Sequence, residues 1–148
     1  MALKELSREE VERFLQAERI IRLGMDADGE RYLVPLGYAW VGGSIYCVTI
    51  RGRKTEMARR NPEVSFQVDN SAVTGPFGWT SVIGEGRVEF VTDPAEIGEV
   101  SPILFGKFAD MPEWAAKEYE ERGRSGALVW LRIVPVRMTG RESGPPQH

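Results

Sequence analysis

The chain has 148 residues, with 22 acidic side chains against 19 basic ones and a formal charge of −3. That length allows one domain with a sizeable core, and that charge excludes the global basic field by which nucleic-acid-binding proteins find their partners. One cysteine, Cys47, lies in an apolar run and cannot close an intrachain disulfide, no apolar run is long enough to span a bilayer, and the opening MALKELSREE is too charged for a signal peptide, so a cytoplasmic protein is expected.

In chain order, Ser7-Arg8-Glu9-Glu10 has the reciprocal spacing of a capping box, and Val11, Phe14 and Leu15 place an apolar stripe on the helix that should follow. Ile20, Ile21, Leu23 and Met25 then read as a strand running into Asp28-Gly29, a hairpin dipeptide, with residues 32–40 as the returning strand. Gly42-Gly43 marks another turn and residues 44–50 a third strand, so the expectation is a three-stranded antiparallel meander. A helix over 54–60 is stopped by Asn61-Pro62. Val64, Phe66 and Val68 alternate with Ser65, Gln67 and Asp69 as a strand with one polar face.

Residues 70–78 have loop composition, and residues 78–91 read as a long strand whose Gly84 and Gly86 mark bends or bulges. Asp93-Pro94 starts a helix, and a second helix over 112–122 is expected to end at Gly123. Residues 127–136 form a closing strand, apolar on both faces except at Arg132, and residues 141–148 read as a polar, frayed tail. The whole is one domain, mainly β with flanking helices, its antiparallel strands curled into a small barrel.

The most informative segment is IYCVTIRGRKTEMARRNP, residues 45–62, where an apolar strand meets a cationic turn and then a helix. A phosphate needs positive charge, backbone N–H donors and a hydroxyl. Arg51, Arg53 and Lys54 bring charge, Gly52 allows close approach, Thr49 offers the hydroxyl and the helix N-terminus adds its dipole. The alternative for such a cluster is a solvated turn.

Together with Leu33-Val34-Pro35-Leu36-Gly37-Tyr38, the Asn61 to Asp69 strand, and Trp79-Thr80-Ser81-Val82 followed by Gly86, this segment resembles the FMN-binding split β-barrels related to pyridoxamine 5′-phosphate oxidase, most closely the nitroimidazole-resistance-like branch. The resemblance runs from about residue 6 to residue 141. It implies a homodimer with two FMN sites built across the interface and a small-molecule substrate, with no nucleic-acid or membrane partner. The phosphate would lie against Thr49, Arg51, Arg53 and Lys54. The isoalloxazine ring would lie along Pro35, Leu36, Gly37 and Tyr38, with Gln67 donating to its polar edge and Trp79, Ser81 and Val82 on the strand that approaches it.

Each residue also has a plainer reading: Trp79 as a packing aromatic, Gln67 as a solvent-facing amide, Tyr38 and Trp40 as dimer contacts. The chain departs from the family pattern at Val48, where many nitroimidazole-resistance-like members carry histidine, and its only histidine is His148. No Ser-His-acid set, metal-spaced Cys/His cluster or dinucleotide fingerprint is present. The expected activity is therefore flavin-dependent oxidoreduction with no catalytic side chain assigned. A deazaflavin-dependent reductase and a non-catalytic ligand-binding module stand as alternatives.

Overall fold

The computed structural model describes residues 2–146, so His148 lies outside the described residues. Its elements in order are β1 (Ala2–Glu5), α1 (Arg8–Ala17), β2 (Ile20–Ala27), β3 (Glu30–Gly37), β4 (Ala39–Val41), β5 (Ser44–Ile50), α2 (Arg53–Arg60), β6 (Glu63–Asp69), α3 (Ser71–Thr74), β7 (Thr80–Val91), α4 (Pro94–Gly106), α5 (Glu113–Ser125) and β8 (Leu128–Gly144). Local sequence explains most of these. Ser7 caps α1 through the Glu10 N–H while Glu10 returns a bond to the Ser7 N–H, which is the predicted capping box. Asp28 and Gly29 both take positive φ, as a two-residue hairpin of β2 and β3 requires. The Asp93 carboxylate accepts the Ala95 N–H, with Pro94 in the first turn of α4.

The strands form one antiparallel sheet in the order β3-β2-β6-β7-β8-β5-β4, with β1 added to the far end of β8. The expected meander is therefore corrected to two separate hairpins, β2–β3 and β4–β5. The chain changes course at Tyr38. Its N–H still bonds the Arg19 carbonyl, but its ring enters the core and its hydroxyl donates to the Leu15 carbonyl at 2.7 Å. From there β5 pairs with β8, so β3 and β4 become the two edges of a sheet that curls without closing. This is a split barrel.

Leu15 of α1 and Ile21, Leu23, Phe66, Val82 and Ile133 of the sheet fill the barrel with essentially no exposure. A second apolar cluster lies on the other face of β5 and β8, where Tyr46, Val48 and Trp130 pack against Val100 and Leu104 of α4. Burial on both faces is why residues 44–50 read as an unbroken apolar run. Arg132, the exception within residues 127–136, donates to Glu89 of β7 and to Glu96 of α4, and the Tyr46 hydroxyl bonds Glu96 at 2.7 Å. Arg132 thus ties α4 to the sheet.

Two boundaries shift. α5 runs past Gly123 and ends at Gly126, which takes the left-handed conformation of a C-cap. β8 continues to Gly144 through a bulge opposite Glu85 and Gly86, and Arg141 to Gly144 pair with β1. The predicted frayed tail therefore begins no earlier than Pro145, and Ser143, 3% exposed, bonds the Trp79 and Phe77 carbonyls.

Candidate functional site

At the end of β5 the chain leaves the sheet at Arg51, makes one turn at Gly52 and enters α2. Arg53 and Lys54 are the first helical residues, so their N–H groups have no intrahelical acceptor and point out of the helix N-terminus. The Thr55 hydroxyl bonds the Gly52 N–H and carbonyl, which fixes the turn. The Arg53 guanidinium lies 4.6 Å from the centre of the Tyr32 ring and 3.7 Å from the Glu30 carboxylate, so it reaches toward β3. Arg51 reaches the Gly126 carbonyl instead. Among the described residues, neither Arg51 nor Lys54 has a carboxylate partner. Thr49 is placed differently from the expectation. It pairs with Val129 on the barrel-facing side of β5 and is 6% exposed, so it is not an open hydroxyl.

The other predicted residues gather around β3, an edge strand. Tyr32, beside Arg53, is three residues from Pro35, roughly 10 Å along an extended strand. Pro35, Arg22, Gln67 and Ile83 are register neighbours across β3, β2, β6 and β7, and this row lies on the outer face of the sheet. Gln67 Nε2 donates to Asp69 Oδ2 at 2.6 Å and to Ser81 Oγ at 3.2 Å. The carboxylate fixes the orientation of the amide, and Gln67 Oε1 is left buried with no hydrogen-bond partner. The predicted donor is therefore spent within the protein, and what Gln67 offers a ligand is an acceptor.

Burial opposes ionisation of Asp69, but bonds from Ser71 and Gln67 and the charge of Arg22 outweigh it and hold the carboxyl below its usual range. Ser81, the register partner of Asp69, lies on the same face as this row. Val82, its neighbour, is fully buried in the barrel and presents no side chain to the outer face, and Tyr38 is equally buried. Trp79 precedes β7, half-buried. Leu36 faces the barrel opposite Ile21, so of the predicted site residues on β3 only Pro35 and Gly37 look outward. Tyr38 and Trp40, read as dimer contacts, are instead core residues.

Sequence reading missed the segment that closes this end of β3. A Cβ at Gly37 would lie 2.8 Å from the Phe108 ring, so the aromatic sits directly on the glycine. The Lys107 ammonium bonds the Glu18 carbonyl and lies 4.6 Å from the centre of the Tyr38 ring. Arg19 holds the segment by bonds to the Lys107 carbonyl and to Asp110, with its guanidinium over Phe108. Burial lowers the Lys107 pKa, and burial together with the Asp69 charge raises that of Glu18. The available signal was a side-chain-free Gly37 on an outward-facing strand position, which requires something to fill the space.

Cys47 is fully buried and its thiol is pushed up to about 12 by burial, so it is an inert core thiol. Among the described residues no group of His, Cys, Asp or Glu side chains is arranged to hold a metal, and no helix is long and apolar enough to cross a membrane.

The family model for pyridoxamine 5′-phosphate oxidase matches residues 7–142. A solved FAD-binding protein from Mesorhizobium loti is 31% identical, covers 97% of this chain and 100% of its own, and superposes with a TM-score of 0.78. The FAD-binding protein of Mycobacterium smegmatis has the same fold at 21% identity, with 95% and 98% coverage and a TM-score of 0.64. A candidate 5-nitroimidazole antibiotic resistance protein from Bacteroides thetaiotaomicron shares it at 16% identity, with 96% and 89% coverage and a TM-score of 0.69. An uncharacterized protein of Rhizobium meliloti is 35% identical over 89 residues, which are 60% of this chain, and the chain spans 58% of that curated relative's length.

Proposed function

The chain belongs to the pyridoxamine 5′-phosphate oxidase family, and from that premise we propose that it is a flavin-dependent oxidoreductase that binds FMN and acts on a small molecule. The observation that carries this reading is the pairing, along one edge strand, of an anion-binding turn with an unsatisfied acceptor. Arg53 reaches the start of β3 from the first turn of α2, where Lys54 follows it, and the row containing the orphaned Gln67 Oε1 crosses the other half of the strand. A buried acceptor without a partner costs about 1–3 kcal/mol, which a ligand N–H at that atom would recover.

In this reading Arg51, Arg53, Lys54 and the helix N-terminus hold the phosphate. Pro35 and the backbone of the β3 edge bound the ring up to Phe108, which covers Gly37, Gln67 Oε1 accepts from it, and the Asp69–Gln67–Ser81 bonds keep that acceptor in place. Bound there, the flavin supplies hydride or single-electron transfer, and the protein orients it and excludes water. We also propose a homodimer. Leu33, Ile83 and Val136 are 71%, 58% and 77% exposed around the outer face, an apolar surface suited to a second copy and to a cofactor site completed across the interface. We also propose a cytoplasmic location, which the unpaired Cys47 supports. A second reading, FAD in place of FMN, is favoured by the FAD-binding Mesorhizobium loti relative.

The test is retention of flavin by wild type and by the Arg53→Ala, Lys54→Ala double variant after gel filtration, with mass analysis of the flavin released by heat. Stoichiometric flavin on wild type and loss on the variant are expected, and the mass distinguishes FMN from FAD. Equal retention by both would remove the phosphate assignment. Flavin that is bound but never bleached by NADH or NADPH under anaerobic conditions would favour a binding module over an enzyme.

A further inference from the structure

The outer face of the sheet has a trough that neither the phosphate turn nor the Gln67 row uses. Leu33, Gly24, Ser65 and Glu85 are register neighbours across β3, β2, β6 and β7, and Glu85 faces Arg137 of β8. The outer positions of that row stand tall, Leu33 as an exposed side chain and Glu85 with Arg137 as an ion pair at 2.6 Å. The two central positions carry a hydrogen and a hydroxymethyl group. With strands about 4.8 Å apart, the low centre lies between walls about 14 Å apart. The groove so formed has a volume of about 780 Å³, with the exposed Val136 on its β8 side. That volume is in the range of small-molecule sites.

Nothing in the fold requires a glycine at position 24. Its φ is not positive, and a Cβ there would meet Ser65 and Leu33 no closer than 3.7 Å, an ordinary contact. Gly84, Gly86 and Gly140 differ, since a Cβ at each would come within 3.0 Å of a neighbour. A glycine inside a strand weakens it, and where packing does not demand one it marks a close approach to the backbone. Gly24 deepens the groove.

The end of the groove beside Asn61 supplies recognition. Glu63 and Arg87 are register partners on β6 and β7 and both are exposed, yet among the described residues neither has an ion-pair partner within 4.0 Å. The other charges lining the groove are matched, Asp26 with Arg31 at 3.9 Å and Glu85 with Arg137. Glu63 stands one outward position, about 7 Å, along β6 from Ser65. A carboxylate only accepts and a guanidinium only donates, so the two together match a ligand edge that carries N–H beside C=O.

We propose that this groove is a binding site for a flat aromatic amide: the ring lies on the Gly24 and Ser65 backbone between Leu33 and Val136, its N–H donates to Glu63 and its C=O accepts from Arg87. The groove is separate from the phosphate turn, and binding there does not depend on the flavin reading. A second copy resting on Leu33 and Val136 would roof it, because the floor lies a side chain's depth below them.

The experiment is a saturation-transfer NMR titration of the full chain with nicotinamide, a ring bearing an exocyclic amide, and with 2-pyridone, a ring lactam. N,N-dimethylnicotinamide, which lacks the N–H, is the control, and circular dichroism is read on every variant. Saturable binding of nicotinamide or 2-pyridone is expected, about tenfold tighter than the control, as for a hydrogen bond to a charged group. The tighter of the two identifies the kind of amide. Gly24→Leu should fill the floor, stay folded and weaken that probe by about tenfold or more. Should Gly24→Leu fail to fold, Arg87→Met takes its place, with a loss of about tenfold. Wild-type affinity in either folded variant overturns the proposal, as does equal binding of the control or binding of neither probe. A probe displaced one for one by FMN also overturns it, by making the groove part of the flavin site. Wild type that binds the probe but no flavin rejects the flavin reading and upholds this one.

Discussion

Gly84 is the position at which the curvature of the barrel depends most directly on the absence of a side chain. A Cβ there would lie 2.2 Å from Phe66 Cζ, 2.7 Å from Phe66 Cε2 and 2.8 Å from the Arg137 carbonyl oxygen. Phe66 is 1% exposed and packed in the barrel, so its ring has little room to move, and the carbonyl belongs to the β7–β8 ladder. Overpacking of this kind costs about 1–3 kcal/mol, and the intrinsic gain of alanine over glycine in a strand returns about 0.5–1 kcal/mol. Gly84→Ala should therefore destabilise the protein by about 1–2 kcal/mol. The check is urea unfolding followed by tryptophan fluorescence at one fixed protein concentration, with the slope unchanged and the midpoint lowered. In a Phe66→Leu background the ring atoms nearest the new methyl are gone, so the cost of Gly84→Ala should fall by about 1 kcal/mol, the carbonyl clash remaining. Gly98 in α4 is the control. Nothing lies within 4 Å of a Cβ there, and Gly98→Ala should stabilise by about 0.5–1 kcal/mol. A neutral or stabilising Gly84→Ala would refute the packing account of this strand pair.

Ser7→Ala removes the cap of α1 and leaves the Glu10 N–H without its partner, for an expected loss of about 1 kcal/mol in the same unfolding assay. Tyr38→Phe deletes a buried hydroxyl bonded to the Leu15 carbonyl and should cost about 1–2 kcal/mol; a midpoint equal to wild type would show that the bond contributes nothing net. Asp69 has a folded-state pKa below its unfolded value, so its stabilisation is present above the unfolded pKa of about 4 and is lost as pH falls through the lower folded value. Asp69→Asn should thus be less stable than wild type at pH 7, with the deficit shrinking below about pH 4. A deficit of constant size across that range would contradict the carboxylate's role in holding Gln67 and Ser71.

What was legible in the sequence was what is decided within a few residues. The capping box at Ser7, the positive-φ turn at Asp28-Gly29, the Asp93-Pro94 helix start and the polar alternation of Ser65, Gln67 and Asp69 all express local chemistry, and all stand in the structure. Strand order is not local. Nothing in residues 30–50 distinguishes a β5 that pairs with β3 from one that pairs with β8, because the choice rests on Tyr38 turning into the core beneath α1. The end of α5 was misplaced because Gly123 and Gly126 are both acceptable stops, and the helix uses the second, where positive φ is needed. β1 is exposed along its whole length and has no apolar period to announce it.

The candidate site divides in the same way. The cationic turn is contiguous and can be read from the sequence, whereas Lys107 and Phe108 join β3 only through a contact some 70 residues away in the chain and cannot. Gln67 was identified, but its free atom is the oxygen, because Asp69 two residues along the strand captures the amide nitrogen.

The most direct test of the central claim is the visible spectrum of the purified protein after incubation with FMN or FAD and removal of free flavin, with circular dichroism on the same sample. One bound flavin per chain on a folded β-rich protein is the predicted result. A folded protein that leaves the column colourless after both incubations would contradict the claim.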